Sequence, residues 1–141
     1  MTRSEVLAFM RRHSLAVQAS VSPAAGPQAA VVGFVVTDDF EIVFDTLATT
    51  RKVANLRRNT QCALVIGGMV DGEECTVQFE GITDEPVGAD LDRLKELYFV
   101  RFPDARGRQR WPGLTYIRVR PRWLRVSDFS QSPPAITEFA F

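Results

Sequence analysis

The feature that most constrains the fold is a series of short apolar stretches that do not alternate regularly with helices. The stretches lie between turn-forming residues, as the strands of a small sheet do. Parallel strands need a long crossover after each strand, so the lack of regular alternation predicts antiparallel pairing. A small barrel also closes its own edges, which suits strands this apolar. We therefore predict a mainly β (α+β) fold, an antiparallel barrel of six or so strands within residues 14–21, 28–36, 40–44, 61–67, 75–83, 114–120 and 123–127.

Helices are predicted between the strands. Thr2 and Glu5 have the spacing of a capping box, which predicts an N-terminal helix within residues 1–13. The apolar spacing of residues 49–59 and 88–102 predicts two more helices. The remaining expectations are a hairpin between residues 28–36 and 40–44, a polar loop over 103–112 and a loosely held tail over 129–141.

Length and hydropathy limit the class of protein. A chain of 141 residues is expected to form one domain, residues 1–141. No apolar run approaches the roughly 20 residues that a membrane span needs. The charged N-terminus does not have the pattern of a secretory signal. We expect a cytoplasmic protein without membrane contact.

Few residues are available for chemistry by side chains alone. His13 is the only histidine, and Cys62 and Cys75 lack the spacing of a metal site, so most zinc sites and histidine triads are excluded. Eight arginines lie between residues 101 and 125, but the net charge is zero and no nucleic-acid motif is present. We predict no metal site and no nucleic-acid partner, and expect a cofactor to supply the chemistry.

One segment carries the signature of a phosphate site. An apolar strand ends at Thr46, and a helix is predicted to begin near Thr50, which places Arg51 and Lys52 in its first turn. Cations there oppose the helix dipole, which favours anions by about 0.3–1 kcal/mol. Free amides, two cations and nearby hydroxyls together suit a phosphate group. The alternative on charge alone is a solvated basic turn with an ordinary threonine cap.

The string Phe44-Asp45-Thr46, with Lys52 six residues beyond the threonine, resembles the FMN-binding core of the pyridoxamine 5′-phosphate oxidase-like family. The resemblance extends over about residues 14–127, and the chain is identified as a short, diverged member. It implies a six-stranded antiparallel split β-barrel of the FMN-binding type with inserted helices. It also implies a homodimer with the flavin in a cleft between the two subunits.

The resemblance further implies which residues hold the FMN. Arg51 and Lys52 match the pair that binds the phosphate, and Thr50 matches the hydroxyl residue before it. The ring is expected near Thr46, Thr76 and the backbone around residues 32–33 and 45–46. The cofactor-binding residues are thus expected to be Val32, Gly33, Asp45, Thr46, Thr50, Arg51, Lys52 and Thr76.

The chain departs from the family where substrate is bound. At positions that are Ala30 and Val35 here, true pyridoxamine phosphate oxidases carry an arginine that helps to hold the flavin phosphate and a lysine that holds the substrate phosphate. Their late tryptophan falls at Ser127, and their Arg-x-His motif has no counterpart in residues 127–141. Vitamin B6 phosphate is therefore not expected as the substrate, whereas FMN is still expected as the cofactor.

The leading hypothesis is an FMN-dependent oxidoreductase of unknown substrate, in which the cofactor does the redox chemistry and no catalytic side chain is assigned. A deazaflavin-dependent reductase is an alternative, because an arginine-rich stretch at residues 101–110 could meet an acidic cofactor tail. A non-catalytic flavin-binding or flavin-sensing protein is another. Haem breakdown is less favoured, since His13 is the only imidazole.

Two further groups of residues are candidates for the flavin cleft. Trp111 and Trp123 could line it, although packing in the core is the commoner role for a tryptophan. Arg106, Arg108 and Arg110 lie on a loop that could cover it, although a surface loop without function is the commoner case.

Overall fold

The computed structural model describes all residues, 1–141, as four helices and eight strands. The helices are α1 (Arg3–Arg11), α2 (Arg51–Arg58), α3 (Gly88–Arg101) and α4 (Ala105–Arg108). The strands are β1 (Leu15–Val21), β2 (Pro27–Gly33), β3 (Val35–Val36), β4 (Ile42–Leu47), β5 (Gln61–Ile66), β6 (Cys75–Asp84), β7 (Leu114–Asp128) and β8 (Ala135–Ala140).

All strands belong to one antiparallel sheet. Its order is β2-β1-β5-β6-β7-β4-β3, with β8 paired to the free part of β7. The two end strands, β2 and β3, are separated in sequence by Phe34 alone, so the sheet curls until its ends approach. The result is a curled half-barrel, and the predicted mainly β class is confirmed.

The predicted number of six strands is wrong, because the sheet contains eight. The stretch expected as one strand over residues 28–36 divides at Phe34 into β2, which pairs with β1, and β3, which pairs with β4. The buried Phe34 donates its amide to Ser14 O at 3.0 Å. A continuous apolar run thus leaves one edge of the sheet and joins the other, which periodicity alone does not reveal.

The C-terminal segment also differs from the expectation of a loose tail. β4 pairs with residues 114–119 of β7, which leaves the other half of that edge of β7 free. β8 covers the free edge by pairing with residues 123–128. The unpaired backbone groups of the edge therefore explain why this tail is ordered.

Pro121 does not divide β7 into the two strands predicted. The pairing between β6 and β7 shifts by one residue at Glu80 and Gly81, and Pro121 lies opposite Gly81 at this bulge. A bulge accommodates proline because the ladder is locally interrupted. A Cβ at Gly81 would lie 2.3 Å from Arg120 O, so only glycine fits at this close approach.

The inner face of the sheet forms the main core, which α1 closes at one end. Val6, Phe9 and Met10 of α1 are buried against it, and the capping box of Thr2 and Glu5 starts that helix as predicted. A second cluster joins α3 to β3 and β4 through Leu94, Tyr98, Phe99 and their neighbours. None of the helices is long and apolar enough to cross a lipid bilayer.

Candidate phosphate-binding site

The N-terminus of α2 lacks a side-chain cap. Thr50 stands at the N-cap position, but its hydroxyl donates to Leu47 O at 2.8 Å and not to the helix. The amides of the first turn, from Arg51 to Val53, have no carbonyl partner within the helix. They remain available to an anion bound at the N-terminus of α2.

The charges around this helix end have no internal partner. The first turn contains Arg51 and Lys52 and no acidic residue. Arg57 in the last turn pairs with Glu85 at 2.7 Å, whereas Arg51 and Lys52 have no carboxylate partner. Burial lowers the pKa of the Lys52 ammonium. A bound anion would relieve both the repulsion between these charges and the loss of hydration.

A cleft of about 360 Å³ opens beside these groups. One wall is the start of α2, and the other consists of β1 and the edge strand β2. Polar side chains from the inward-facing rows of β1 and β2 form its floor, and two small residues of β2 leave room at its mouth. The lining residues are Gln18, Ser20, Gln28, Ala29, Ala30, Thr50, Arg51 and Lys52.

A residue of α2 fixes the polar side chains on the floor of the cleft by hydrogen bonds. The buried Asn55 donates its amide hydrogens to Ser20 Oγ at 3.1 Å and to Gln28 Oε1 at 2.6 Å. Gln18 lies beside them and is 1% exposed, yet its Oε1 has no hydrogen-bond partner. Buried amide oxygens are normally paired, so this one lacks a donor that a ligand could provide.

A second polar group lies at the end of β4. The Asp45 carboxylate accepts hydrogen bonds from Tyr98 Oη at 3.1 Å and from Arg108 Nε at 3.0 Å. Tyr98 Oη also lies 3.2 Å from Gly33 O, which links Gly33 and Asp45. Burial raises the pKa of the Tyr98 hydroxyl, with the Asp45 charge adding to the effect. The hydroxyl therefore stays protonated and can donate.

Thr46 lies between the two groups. Its Oγ1 is 3.4 Å from Thr50 Oγ1, so the end of β4 is in contact with the N-cap of α2. Val32 is buried and its side chain belongs to the main core, so only its backbone faces a possible ligand. Seven of the eight residues predicted to bind cofactor thus lie on β2, β4 and the start of α2, where the two ends of the curled sheet approach each other. Of these seven, Thr50, Arg51 and Lys52 line the cleft.

Thr76 is the exception. It pairs with Ser127 near one end of β7, while Thr46 pairs with Thr115 near the other end. The two partners are 12 residues apart along the strand, 127 minus 115. At about 3.3 Å per residue, a strand of that length spans roughly 40 Å when straight. Within one chain, Thr76 is not among the residues that line this cleft.

The arginine loop does not cover the cleft. Arg106 pairs with Glu96 at 3.3 Å, and Arg108 pairs with Asp45. The role of Arg108 and Tyr98 in fixing Asp45 was missed in the sequence, because nothing local connects these positions. The sequence signal for Asp45 is the resemblance of Phe44-Asp45-Thr46 to the family's FMN-binding core, and it does not identify the partners of the carboxylate.

The tryptophans do not pack in the core. Trp111 is 53% exposed. Leu124 takes the buried position next to Trp123, whose indole nitrogen donates outward to Glu138 at 3.4 Å. Cys62, in contrast, is buried as expected of a strand residue, and burial raises the pKa of its thiol to about 12.

The outward face of β1, β2 and β5 is unusually apolar for a sheet that faces water. Two rows cross it, Ala29–Ala19–Ala63 and Val31–Val17–Val65, each in direct register. Solvated sheet faces normally carry polar side chains. We call this surface the apolar face; it adjoins the cleft, because Ala29 belongs to both.

The fold and site together define a small antiparallel barrel protein with a cationic cleft between its edge strand and a short helix. The chain belongs to the pyridoxamine 5′-phosphate oxidase family, whose family model matches residues 2–128. No curated protein matches the sequence.

Solved structures of similar fold differ in what their names state. A pyridoxamine 5′-phosphate oxidase-related, FMN binding protein from Nostoc punctiforme has a TM-score of 0.68 and 11% identity, over 98% of this chain and 94% of that one. HutZ, the heme storage protein from Vibrio cholerae, has a TM-score of 0.74 and 14% identity, over 97% of this chain and 92% of HutZ. The protein Atu2129 of unknown function from Agrobacterium tumefaciens has a TM-score of 0.74 and 16% identity, over 89% of this chain; this chain spans 57% of the length of Atu2129.

Proposed function

We propose that this protein binds FMN and acts as an oxidoreductase whose substrate is not vitamin B6 phosphate. The observation that carries the proposal is the convergence of three unpartnered features in one cleft. These are the free amides of α2, the two cations Arg51 and Lys52, and the buried oxygen of Gln18. Each is costly without a ligand; a phosphate group relieves the first two, and a hydrogen-bond donor elsewhere on the same ligand relieves the third.

The residues present fit a flavin phosphate. Arg51, Lys52 and Thr50 would hold the phosphate, and the contact of Thr50 with Thr46 leads from there to the end of β4. The isoalloxazine would lie along the backbone of residues 32–33 and 45–46. The side chain of Asp45 is already engaged by Tyr98 and Arg108, which fixes that backbone. When bound, FMN supplies the transfer of electrons or hydride, for which the chain needs no nucleophile of its own.

We also propose a homodimer with the flavin site at the subunit interface. The apolar face lacks the polar side chains that solvent would favour, and burying it against a second copy is favourable by about 25 cal/mol per Å². Because this face adjoins the cleft, a partner on it would close the cleft. Thr76 lies on the outward side of β6, next along from Gln78, which is in register with Val65. The partner's Thr76 could therefore approach the flavin, which Thr76 of the same chain does not.

The substrate positions support the exclusion of vitamin B6 phosphate. Ala30 lines the cleft where the family's oxidase has arginine, and Val35 is buried beside α3 where the oxidase has lysine. Val35 therefore cannot bind the substrate phosphate as that lysine does, whereas the arginine position, Ala30, concerns the flavin phosphate. No side chain is assigned as a catalytic acid or base.

Other cofactors are less well supported. A haem iron needs an axial ligand, but both ring nitrogens of His13 are engaged, with Phe9 O at 2.9 Å and with Glu73 at 3.0 Å. A deazaflavin tail would have to meet the arginines of residues 101–110, and two of these four, Arg106 and Arg108, are already paired with carboxylates. FMN is therefore preferred to both.

The test is the visible absorption spectrum of the purified protein, with the mass of any cofactor released on denaturation. We expect the two absorption bands of an oxidised flavin, and FMN as the released compound. A Soret band would indicate haem instead, and a single band near the deazaflavin region would indicate that alternative. A colourless protein that does not take up added FMN would contradict the proposal.

The dimer proposal predicts the effect of a charge on the apolar face. Val31 is 61% exposed and lies at the β2 end of one of the two rows. We expect Val31→Lys to give a monomer by sedimentation and to lower FMN affinity at least tenfold, because a lysine resists burial in an interface. Val87→Lys is the matched control, since Val87 is 77% exposed and lies outside the sheet. A dimer that persists in Val31→Lys would show that another surface is used.

A further inference from the structure

Gln18 is the one polar side chain of the cleft floor that is buried without a partner. It lies on β1 with its side chain on the inner face, and only 1% of it is exposed. Its neighbours Ser20 and Gln28 are both engaged by Asn55. The internal network therefore engages Ser20 Oγ and Gln28 Oε1 and leaves the buried Oε1 of Gln18 unsatisfied.

The position of Gln18 directs it toward a ligand. Its cross-strand neighbour in β2 is Ala30, whose methyl group leaves space at the mouth of the cleft. Arg51 and Lys52 line the same cleft from the opposite wall. A ligand with its phosphate at the start of α2 would thus have its next atoms beside the Gln18 amide.

The chemistry of the unsatisfied atom selects the ligand class. An amide oxygen accepts hydrogen bonds, so it needs a donor, and a phosphate dianion offers only acceptors. A hydroxyl group both donates and accepts, so it satisfies the amide in either orientation. The ligand that completes this site therefore carries a hydroxyl group close to its phosphate.

The geometry points to Gln18 as the residue that recognises the hydroxylated chain of a phosphorylated polyol, and so as a determinant of specificity in this cleft. The inference rests on the proposed function, since the ribityl phosphate of FMN is such a chain. It goes further in assigning to Gln18 the discrimination between FMN and phosphates that lack hydroxyl groups.

The test compares two flavins on two proteins. One ligand is FMN, and the other is a flavin whose phosphate is attached through a pentyl chain without hydroxyl groups. We expect the wild-type protein to bind FMN about tenfold more tightly than this analogue, by flavin fluorescence titration. In Gln18→Met, which keeps the size of the side chain but not its amide, the preference is expected to disappear through loss of FMN affinity. Competition by inorganic phosphate is expected to be unchanged.

Thermal unfolding without ligand separates a binding role from a structural one. Removing a buried, unpaired amide is expected to leave the melting temperature of the unliganded protein unchanged or higher. A structural role would lower it. Gln61→Met is the matched control, because Gln61 is an exposed glutamine on β5 whose side chain forms no hydrogen bond and lies outside the cleft.

Each outcome decides the inference. A preference for FMN that persists in Gln18→Met would overturn it, as would a destabilised variant with wild-type FMN affinity. Both results leave the proposed function intact. If the wild-type protein binds neither flavin, the proposed function fails, and the inference fails with it.

Discussion

Replacing Arg118 by methionine is expected to lower the free energy of unfolding by about 3 kcal/mol, a large part of the roughly 5–15 kcal/mol of a typical domain. Arg118 lies on β7 with only 6% of its side chain exposed. Its guanidinium binds Asp84 at 2.7 Å and Asp90 at 2.5 Å, and lies 3.4 Å from Glu41. In the variant, these three carboxylates would surround an uncharged methionine side chain.

The size of this effect follows from how far the partners are exposed. Removing one member of a fully buried pair costs about 3–5 kcal/mol. The side chains of Asp84 and Asp90 are 39% and 42% exposed, and in the variant they would still be paired with Arg120 and Arg93, respectively. We therefore expect a cost at the lower end of this range. The measurement is urea unfolding with the slope compared between variants. The matched control is Arg120→Met, whose side chain is 57% exposed and whose loss should cost less than about 1 kcal/mol.

The same cluster sets a pH dependence. Hydrogen bonding to Arg118 lowers the pKa of Asp84 below its usual value of 3.8. The stabilisation is therefore complete above that value and is lost as the pH falls through the lowered pKa. We expect the difference between wild type and Arg118→Met to be largest at neutral pH and to shrink below about pH 4. A difference that stays constant down to about pH 2 would show that packing, not charge, holds Arg118.

The second large effect is expected on FMN binding. Arg51→Met and Lys52→Met should each weaken FMN binding about 30- to 140-fold, because a charge-assisted hydrogen bond contributes roughly 2–3 kcal/mol. Neither cation has a carboxylate partner in the chain, so neither substitution should lower stability without ligand. The measurement is titration of flavin fluorescence at two salt concentrations, and the loss should be smaller at the higher one.

The control for this prediction lies in the same helix. Arg57→Met removes one positive charge from the last turn of α2, where Arg57 is paired with Glu85 and lies outside the cleft. We expect less than a twofold change in FMN affinity. If Arg57→Met and Lys52→Met lost FMN affinity equally, the affinity would depend on the net charge of the protein. That result would contradict a phosphate site at the start of α2.

Local patterns in the sequence were sufficient for much of this protein. The capping box of Thr2 and Glu5, the helical spacing of α3 and the alternation in β5 each depend on residues close together in the chain. They could be recognised because a helix or strand imposes its period on neighbouring residues. The cationic start of α2 was equally visible, since its charges conflict with a dipole that belongs to the same segment. The missing side-chain cap was not, because only the structure shows that the Thr50 hydroxyl donates to Leu47 O.

Features that depend on distant partners were not predictable in this way. The break at Phe34, the pairing of β8 with β7 and the bulge at Pro121 follow from which strand edges are free. The links of Asp45 to Tyr98 and Arg108 span 53 and 63 residues. No local period records such contacts, because they arise only when the sheet curls and brings its two ends together.

The sequence by itself thus determined the antiparallel β class, most element boundaries and the charged segment at Arg51 and Lys52. The tertiary structure alone decided that Gln18 is buried without a partner opposite those cations, and that Thr76 of β6 pairs with the far end of β7. The physical reason is that periodicity and charge are properties of a segment. An unsatisfied atom, or a distance between strands, exists only once the whole sheet has formed.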